Sequence, residues 1–234
     1  MTETIVNRAD DDGATTGRRR EFPWPLGWWR TVALIVALCV ITGVVVWRFE
    51  QPSDETFNDV DVGFLSDMTT HHNGAITMSF DYLGRENDNL VGHFAREIIL
   101  TQNQEVLLMN GLLHQAGDPK TASDDVSMDW MGHSVPAAQM PGMPTGAELA
   151  QLKSSTGPAA DDQFTRLMIR HHAAGAAMAD YAAAHGENAT VKRLAAAMAR
   201  VQRTEINEMN ARRNQLGLPK VDTSDLEQLD SHAH

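Results

Sequence analysis

A short phrase rich in histidine and methionine occurs twice in this chain. In its first copy, Phe64 and Met68 precede the pair His71-His72, and Met78 follows the pair. All five residue types return 100 positions further along, in the same order. The repeat continues with Gln102, Glu105, Met109 and Asn110, which return as Gln202, Glu205, Met209 and Asn210. Matches over about 55 residues indicate an internal duplication, and its imidazole, thioether and carboxylate groups can all ligate metal.

The donor types select among metals. Cys39 is the single cysteine of the chain, so neither a disulfide nor a thiolate site can form within one copy. Imidazole combined with thioether suits Cu(I) and tolerates Cu(II) better than it suits zinc or iron. The repeat therefore predicts copper as the bound metal. The candidate ligands are Met68, His71, His72, Met78, Glu105, Met168, His171, His172, Met178 and Glu205.

A second group of candidate ligands lies between the two copies. Four of the 12 methionines fall within the 16 residues that end at Met143, together with one histidine. These side chains could pack a connecting segment onto a core, since methionine fills irregular gaps well. They could instead form a flexible thioether and imidazole cluster that captures Cu(I). The residues are Met128, Met131, His133, Met140 and Met143.

Both copies are predicted to be helical. Apolar and special residues recur at intervals of three and four around each phrase, which is typical of an amphipathic helix. The first histidine of each pair, His71 or His171, then lies in the middle of the buried stripe. The second, His72 or His172, lies about 100° further round. We therefore expect the second histidines at the edge of the stripe, accessible from the surface.

Each copy is long enough to form a helical hairpin. Across the first hairpin we expect Met68 to face Glu105 and His71 to face Gln102. Two hairpins joined by a long crossover form an all-α, ferritin-like four-helix bundle, whose approximate two-fold axis should bring both polar layers together at one height. The residues expected to converge there are His71, His171, Glu105, Glu205, Met68 and Met168. The predicted segments are a first hairpin at 52–117, a methionine-rich crossover at 118–160, a second hairpin at 161–217 and a polar tail at 218–234.

The N-terminal region is predicted to anchor the chain. Residues 1–27 read as a disordered cytoplasmic tail that ends in a basic region, and residues 28–48 as an apolar segment bounded by tryptophans. Its length matches a bilayer core of about 30 Å. Because no small-residue cleavage site follows, we expect a signal anchor rather than a cleaved peptide. The protein would then be a single-pass protein of the cell membrane, with its C-terminal domain extracytoplasmic.

Charge and motif content limit the function classes. The formal net charge is -12, which argues against a nucleic-acid partner. A di-iron oxidase is the main enzymatic interpretation, but that chemistry needs Glu-x-x-His pairs, and here Leu108 and Glu208 stand where the histidines would be. We therefore expect no enzymatic activity. A buried histidine and glutamate network with a purely structural role, in a scaffold or accessory subunit of a membrane complex, is the alternative, and a homo-oligomer is also considered. His93, His114 and His185 have no counterpart at the offset and are treated as ordinary.

The paired phrase resembles the family catalogued as domain of unknown function 305. The resemblance rests on Phe-x-x-x-Met-x-x-His-His followed by Met, and on Gln-x-x-Glu-x-x-x-Met, over about residues 57–217. It implies a ferritin-like four-helix fold, and some relatives are exported copper-binding proteins. The ten ligands of the repeat are the residues onto which the family pattern carries over. This chain departs from the pattern in having Asn73 and Gly74 after the first pair.

Overall fold

A computed structural model describes residues 56–84, 90–117 and 126–226. As predicted, the fold is all-α: helices dominate, and β1 (Val126–Ser127) and β2 (Val135–Pro136) form only a small antiparallel pair. Single turns of 3-10 helix lie at Asp129–Met131 and Ala137–Gln139. The α-helices are α1 (Asp59–Leu83), α2 (Leu90–Gln115), α3 (Gly146–Ser154), α4 (Gly157–His185) and α5 (Ala189–Gln215).

The four long helices pack as two hairpins, α1 with α2 and α4 with α5. The hairpins meet through α1 and α4, which run antiparallel. At the start of α1, the Asp61 carboxylate accepts hydrogen bonds from the backbone N–H groups of Glu187 and Asn188, just before α5. At the end of α1, the Tyr82 hydroxyl donates to Asp161 and its ring stacks on Phe164. The halves are thus related by an approximate two-fold axis through the middle of both helices.

Local sequence sets the helix boundaries. Asn58 and Asp61 form a capping box that satisfies the first free N–H groups of α1, and Asn188 caps α5 through its side chain. Helix α4 begins at Gly157 with Pro158 in its first turn, where the missing proline N–H costs nothing. Its start lies upstream of position 161, where the second hairpin was expected to begin.

The methionines of the two phrases divide between two apolar clusters on opposite sides of the histidines. Met68 lies in one cluster with Met178, and Met78 lies in the other with Met168. This division follows from the antiparallel packing of α1 and α4, because a residue before the histidines on one helix lies level with a residue after them on the other. The expected convergence of Met68 and Met168 at one height is therefore wrong.

A buried aspartate fastens the crossover to α1. The Asp67 carboxylate accepts hydrogen bonds from the backbone N–H of Met128 and from Trp130 Nε1, both at 2.7 Å. Gly63 makes room for the indole ring, since a Cβ at that position would collide with it. Met128, Met131 and Met140 are all buried in the apolar cluster that contains Met68.

The predicted cytoplasmic tail at 1–27 and the anchor at 28–48 lie outside the described residues. Within the ranges that the structure describes, no helix is both long enough and apolar enough to cross a membrane. The beginning of the predicted tail follows the bundle closely, because Arg213 Nε donates to the carbonyl oxygen of Pro219, and Leu226 packs on Ala173 and Ala174.

Candidate metal centre

The two histidines of each pair point to different helices. Helix α1 contacts α2 on one side and α4 on another, so its buried arc is wide enough to include residues 100° apart. His71 faces α4 and His72 faces α2, and both are fully buried. His171 and His172 repeat this arrangement on α4. The expectation that the second histidines lie at the surface is wrong, because it assumed one buried side per helix.

The second histidine of each pair bonds a glutamate of its own hairpin. His72 Nε2 lies 2.8 Å from Glu105 Oε2, and His172 Nε2 lies 2.7 Å from Glu205 Oε2. The glutamate side chains are mostly covered, with 26% and 16% of their surface exposed. Glu105 thus meets His72, four residues after Met68, so the expected pairing of Glu105 with Met68 is wrong. The distances match charge-assisted hydrogen bonds in which the carboxylate accepts.

The first histidines meet each other on the two-fold axis. The rings of His71 and His171 are stacked, with centroids 3.7 Å apart and an angle of 29° between their planes. His171 Nε2 lies 2.9 Å from the carbonyl oxygen of His71, and His71 Nε2 lies 3.2 Å from that of Pro141 in the crossover. The crossover therefore contacts the centre of the bundle directly.

These contacts assign one tautomer to all four imidazoles. Each Nε2 faces a carboxylate or carbonyl oxygen, which only accepts, so Nε2 carries a proton, and in the neutral ring Nδ1 carries the lone pair. Each of the four Nδ1 atoms is buried and has no hydrogen-bond partner within the described part of the chain. A metal-binding histidine typically has this form, with one ring N–H held by an oxygen and the other nitrogen free to ligate. The chemistry of each imidazole therefore suits a metal ligand.

Burial keeps the central pair neutral. Desolvation, followed by repulsion from His72, lowers the pKa of His71 from 6.5 to about 3, although the Pro141 carbonyl opposes the shift. Desolvation, followed by repulsion from His71, holds the pKa of His171 well below its usual value. Both imidazoles thus keep a free lone pair without having to lose a proton first.

Two glutamines complete the polar layer. Gln102 and Gln202 are both buried, and Gln202 lies against Gly175, where an added Cβ would collide with its Oε1 and lie 3.1 Å from His71 Cε1. Gln102 Oε1 and both amide atoms of Gln202 have no partner among the residues described. Among the described residues, the layer therefore contains three unpartnered amide atoms in addition to the four histidine Nδ1 atoms.

A strap from the crossover, Met140 to Met143, covers the central pair. Gly142 has φ of 77° and packs so closely on α4 that a Cβ would lie 2.9 Å from His171 Cα. The position of a Cβ on Gly74 lies 2.8 Å from Met143 Sδ and 3.4 Å from His171 Nε2. Helix α1 continues through Asn73 and Gly74. The departure from the family pattern thus coincides with the space that Met143 occupies.

The remaining candidates do not join a single cage. Met68, Met78, Met168 and Met178 lie in the two apolar clusters, and the crossover residues His133 and Met143 are half-buried. No group of three or more His, Cys, Asp or Glu side chains arranged to hold a metal ion occurs in 56–84, 90–117 or 126–226.

Sequence reasoning missed the strap and the aspartate that anchors the crossover. The Met-Pro-Gly-Met segment signals a turn, but nothing in it indicates that the Pro141 carbonyl reaches His71. Asp67 interrupts a buried helical stripe at a position where the second copy has Leu167. A charged residue that departs from an otherwise regular repeat was the available signal, and it predicts a partner outside the repeat.

The fold and the site together define a helical protein made of two repeated hairpins that enclose a buried layer of histidine, glutamate and glutamine. The chain belongs to the family described as Domain of unknown function (DUF305), whose model matches residues 61–213. The predicted family membership is confirmed. A search of curated proteins finds no match to the chain.

Several solved structures resemble this chain over most of their own length. A DUF305 protein from Streptomyces coelicolor is 34% identical, with a TM-score of 0.62, covering 70% of this chain and 97% of that one. A DUF305 fragment from Deinococcus radiodurans is 29% identical, with a TM-score of 0.59, covering 68% and 99%. CopM in its Cu(II)-bound form is 26% identical, with a TM-score of 0.51, covering 67% and 97%. CopM is also similar in its Cu(I)-bound form, at a TM-score of 0.50.

Proposed function

We propose that this protein binds copper outside the cytoplasm, and buffers or delivers it at the membrane surface to which residues 28–48 anchor it. The observation that carries the proposal is the set of four buried imidazoles, each with Nε2 held by an oxygen and Nδ1 unpartnered among the described residues. The similarity to CopM in Cu(I)-bound and Cu(II)-bound forms supports copper as the metal. The proposed role is binding, with no bond cleavage.

The imidazoles are the proposed primary ligands. When bound, copper is a soft cation that can alternate between Cu(I) and Cu(II), and imidazole accepts both states. Glu105 and Glu205 are then positioning residues rather than ligands. Each carboxylate accepts a hydrogen bond from Nε2–H of His72 or His172, which leaves Nδ1 free to bind the metal.

The methionines fall into two groups by accessibility. Met128, Met131 and Met140 lie in the apolar core, which supports the packing interpretation of the crossover. Met143 is half-buried beside His171, and His133 is also half-buried. Met143 and His133 are therefore the crossover donors that a soft cation can reach first. The strap covers His71 and His171 on its own side of the bundle.

The test is an anaerobic Cu(I) titration of the full-length protein in mild detergent, against a chelator of known affinity. Two double variants, His71→Gln/His171→Gln and His72→Gln/His172→Gln, each remove one type of histidine from both hairpins. We expect both to take up less copper than the wild type. Glutamine keeps the sites polar, and a circular dichroism spectrum checks that each variant remains helical.

The matched control is His185→Gln, an exposed histidine outside the layer. We expect it to bind copper like the wild type. Equal uptake by the wild type and both helical double variants would contradict the proposal. Loss of uptake in the control as well would show that general surface histidines, rather than the layer, bind the metal.

A structural network in a scaffold is the second candidate. The observation in its favour is that the described residues contain no cage of three or more His, Cys, Asp or Glu side chains. A scaffold would retain its protein partner without the central pair. A pull-down from membranes with the wild type and the His71→Gln/His171→Gln variant separates the two functions, because equal partner recovery with unchanged copper uptake favours the scaffold.

A further inference from the structure

The outer surface of α2 carries a stripe that the histidine layer does not use. His93, Leu100, Leu107 and His114 follow one another at intervals of seven residues, or about two turns, and so share one face of the helix. All four are exposed, with 66% of Leu100 and 73% of Leu107 accessible. Single exposed leucines are ordinary, but two leucines aligned between two histidines form a regular surface.

The surface around the two leucines of the stripe has almost no charge, while Arg96 and Glu97, exposed and opposite in sign, lie between Leu100 and His93. From 98 to 117 the one charged residue is Glu105, which is turned inward to His72. The stripe is also not inherited from the duplication, because the second hairpin has Arg193, Arg200, Asn207 and Asn214 at the corresponding positions. Depletion of charge and exposure of apolar side chains on one of two related helices are features of a protein interface.

The four positions of the stripe are symmetric about the midpoint between Asn103 and Gln104. If two α2 helices pack antiparallel about that point, Leu100 of one copy meets Leu107 of the other, and His93 meets His114 at both ends. At Gly111 an added Cβ would meet no atom within 4 Å, so this position leaves a gap that admits a side chain from the second copy. This is the pairing that a two-fold interface requires, since residue i contacts j and j contacts i.

We infer that this stripe is a dimerisation surface, through which two copies of the chain pair antiparallel along α2. In a chain with a net charge of -12, it is a face on which two copies can approach without repulsion between like charges. The inference does not depend on copper binding, because none of its residues belongs to the histidine layer.

The size of the surface sets the strength of the dimer. From His93 to His114 the helix is about 32 Å long and about 10 Å wide, so each copy buries on the order of 300 Å². Stable interfaces typically bury about 800 Å² per partner. The dimer is therefore weak in dilute solution, and confinement of both copies to one membrane would favour it.

Cross-linking tests the contact and its register together. In full-length protein with Cys39→Ser, the double variant Leu100→Cys/Leu107→Cys places a thiol at each end of the leucine contact. Diamide serves as the oxidant, which keeps the test independent of copper binding. We expect a disulfide-linked dimer on a non-reducing gel, at least about tenfold more than from either single variant, because in the antiparallel register identical positions lie about 10 Å apart, beyond disulfide reach. A mixture of the two single variants should restore the cross-link.

The matched control is Arg200→Cys/Asn207→Cys in the second hairpin, at the same spacing on the outer face of α5. We expect it to remain monomeric. A monomeric Leu100→Cys/Leu107→Cys variant would overturn the inference and leave the stripe to another protein or to the lipid surface. Equal cross-linking by the single variants or by the control would also overturn it, because random collision would then explain the product.

Discussion

The two hairpins carry the same polar residues in the layer that they share and different residues on their outer helices. Both bring a histidine pair, a glutamine and a glutamate to one layer, with the same hydrogen bond from the second histidine to the glutamate. On their outer helices, α2 shows Leu100 and Leu107, whereas α5 has Arg200 and Asn207 at the matching positions. The duplicated unit has thus kept its inner chemistry and changed its surface.

The difference shows where the fold restricts substitution. On the two-fold axis His71 stacks on His171, so a change in either copy must still fit the other. No such restriction acts on an outward side chain, whose replacement usually changes stability by less than about 0.5 kcal/mol. Each of the following experiments asks whether the hairpins are equivalent inside and different outside.

Acidification should give the largest effect, in the metal-free protein. The pKa of His71 is about 3 in the folded protein, against 6.5 for an exposed histidine such as that of the unfolded chain. As the pH falls, the unfolded chain therefore takes up a proton first. Stability is therefore fully present above pH 6.5 and declines toward pH 3, by about 3 kcal/mol from His71 alone at pH 4.5. His171 acts in the same direction. Urea unfolding as a function of pH measures the loss.

The hairpins can then be compared by replacing one histidine at a time. His71→Gln and His171→Gln each remove one titrating group, so each should flatten the decline below pH 6.5. If only one of the two variants flattens it, the two central histidines are not equivalent. Subtracting the wild-type curve from the curve of each variant removes the contribution of the carboxylates, because both proteins contain the same ones.

Gly142→Ala should give the next largest effect, because the crossover breaks the two-fold relation by packing on α4. The new Cβ would lie 2.8 Å from Ala174 Cβ and 3.0 Å from the Arg170 carbonyl oxygen, at a φ of 77°. We expect a loss of about 2 kcal/mol in the free energy of unfolding, measured in urea. Gly146→Ala is the control, with nothing within 4 Å of the new Cβ, and it should be close to neutral. Equal effects would mean that the strap does not lie on α4.

Removing the glutamates should have a smaller effect on stability. Glu105→Ala or Glu205→Ala leaves a buried histidine N–H without its acceptor, which typically costs about 1–3 kcal/mol. We expect the larger loss at Glu205, whose side chain is the more buried of the two. Glutamine restores an acceptor oxygen and should recover part of the loss. Under the proposed function, copper affinity should also fall about 10–100-fold, and a fall in one hairpin only would show that one pair binds copper.

Leu107→Gln should have the smallest effect on the fold. The side chain is largely exposed, so the free energy of unfolding, measured by urea in dilute solution, should change by less than about 0.5 kcal/mol. Asn207→Leu makes the reverse exchange on α5, with an equally small effect expected. A loss of more than about 1 kcal/mol at Leu107 would show that this residue supports its own bundle.

The sequence predicts the helices and the duplication, and it places the central histidines, the glutamines and the glutamates on inward faces, because these follow from spacing along the chain. It does not predict which helix each residue faces. His72 was expected at the surface because periodicity shows one buried stripe, whereas α1 packs on two neighbours and buries a wider arc. The contact of Pro141 with His71 spans 70 residues and depends on how the crossover folds back, which no local pattern contains.

The stacked histidines also suggest how such a protein could arise. A residue on a two-fold axis meets its own counterpart, so a single ancestral hairpin would already present the surface needed to pair with an identical hairpin. Two separate short chains could then have built the layer by association. Once the crossover joined the two hairpins in one chain, their association became intramolecular and no longer depended on protein concentration. After fusion the halves no longer had to be identical, and the outer helices were free to diverge for different neighbours.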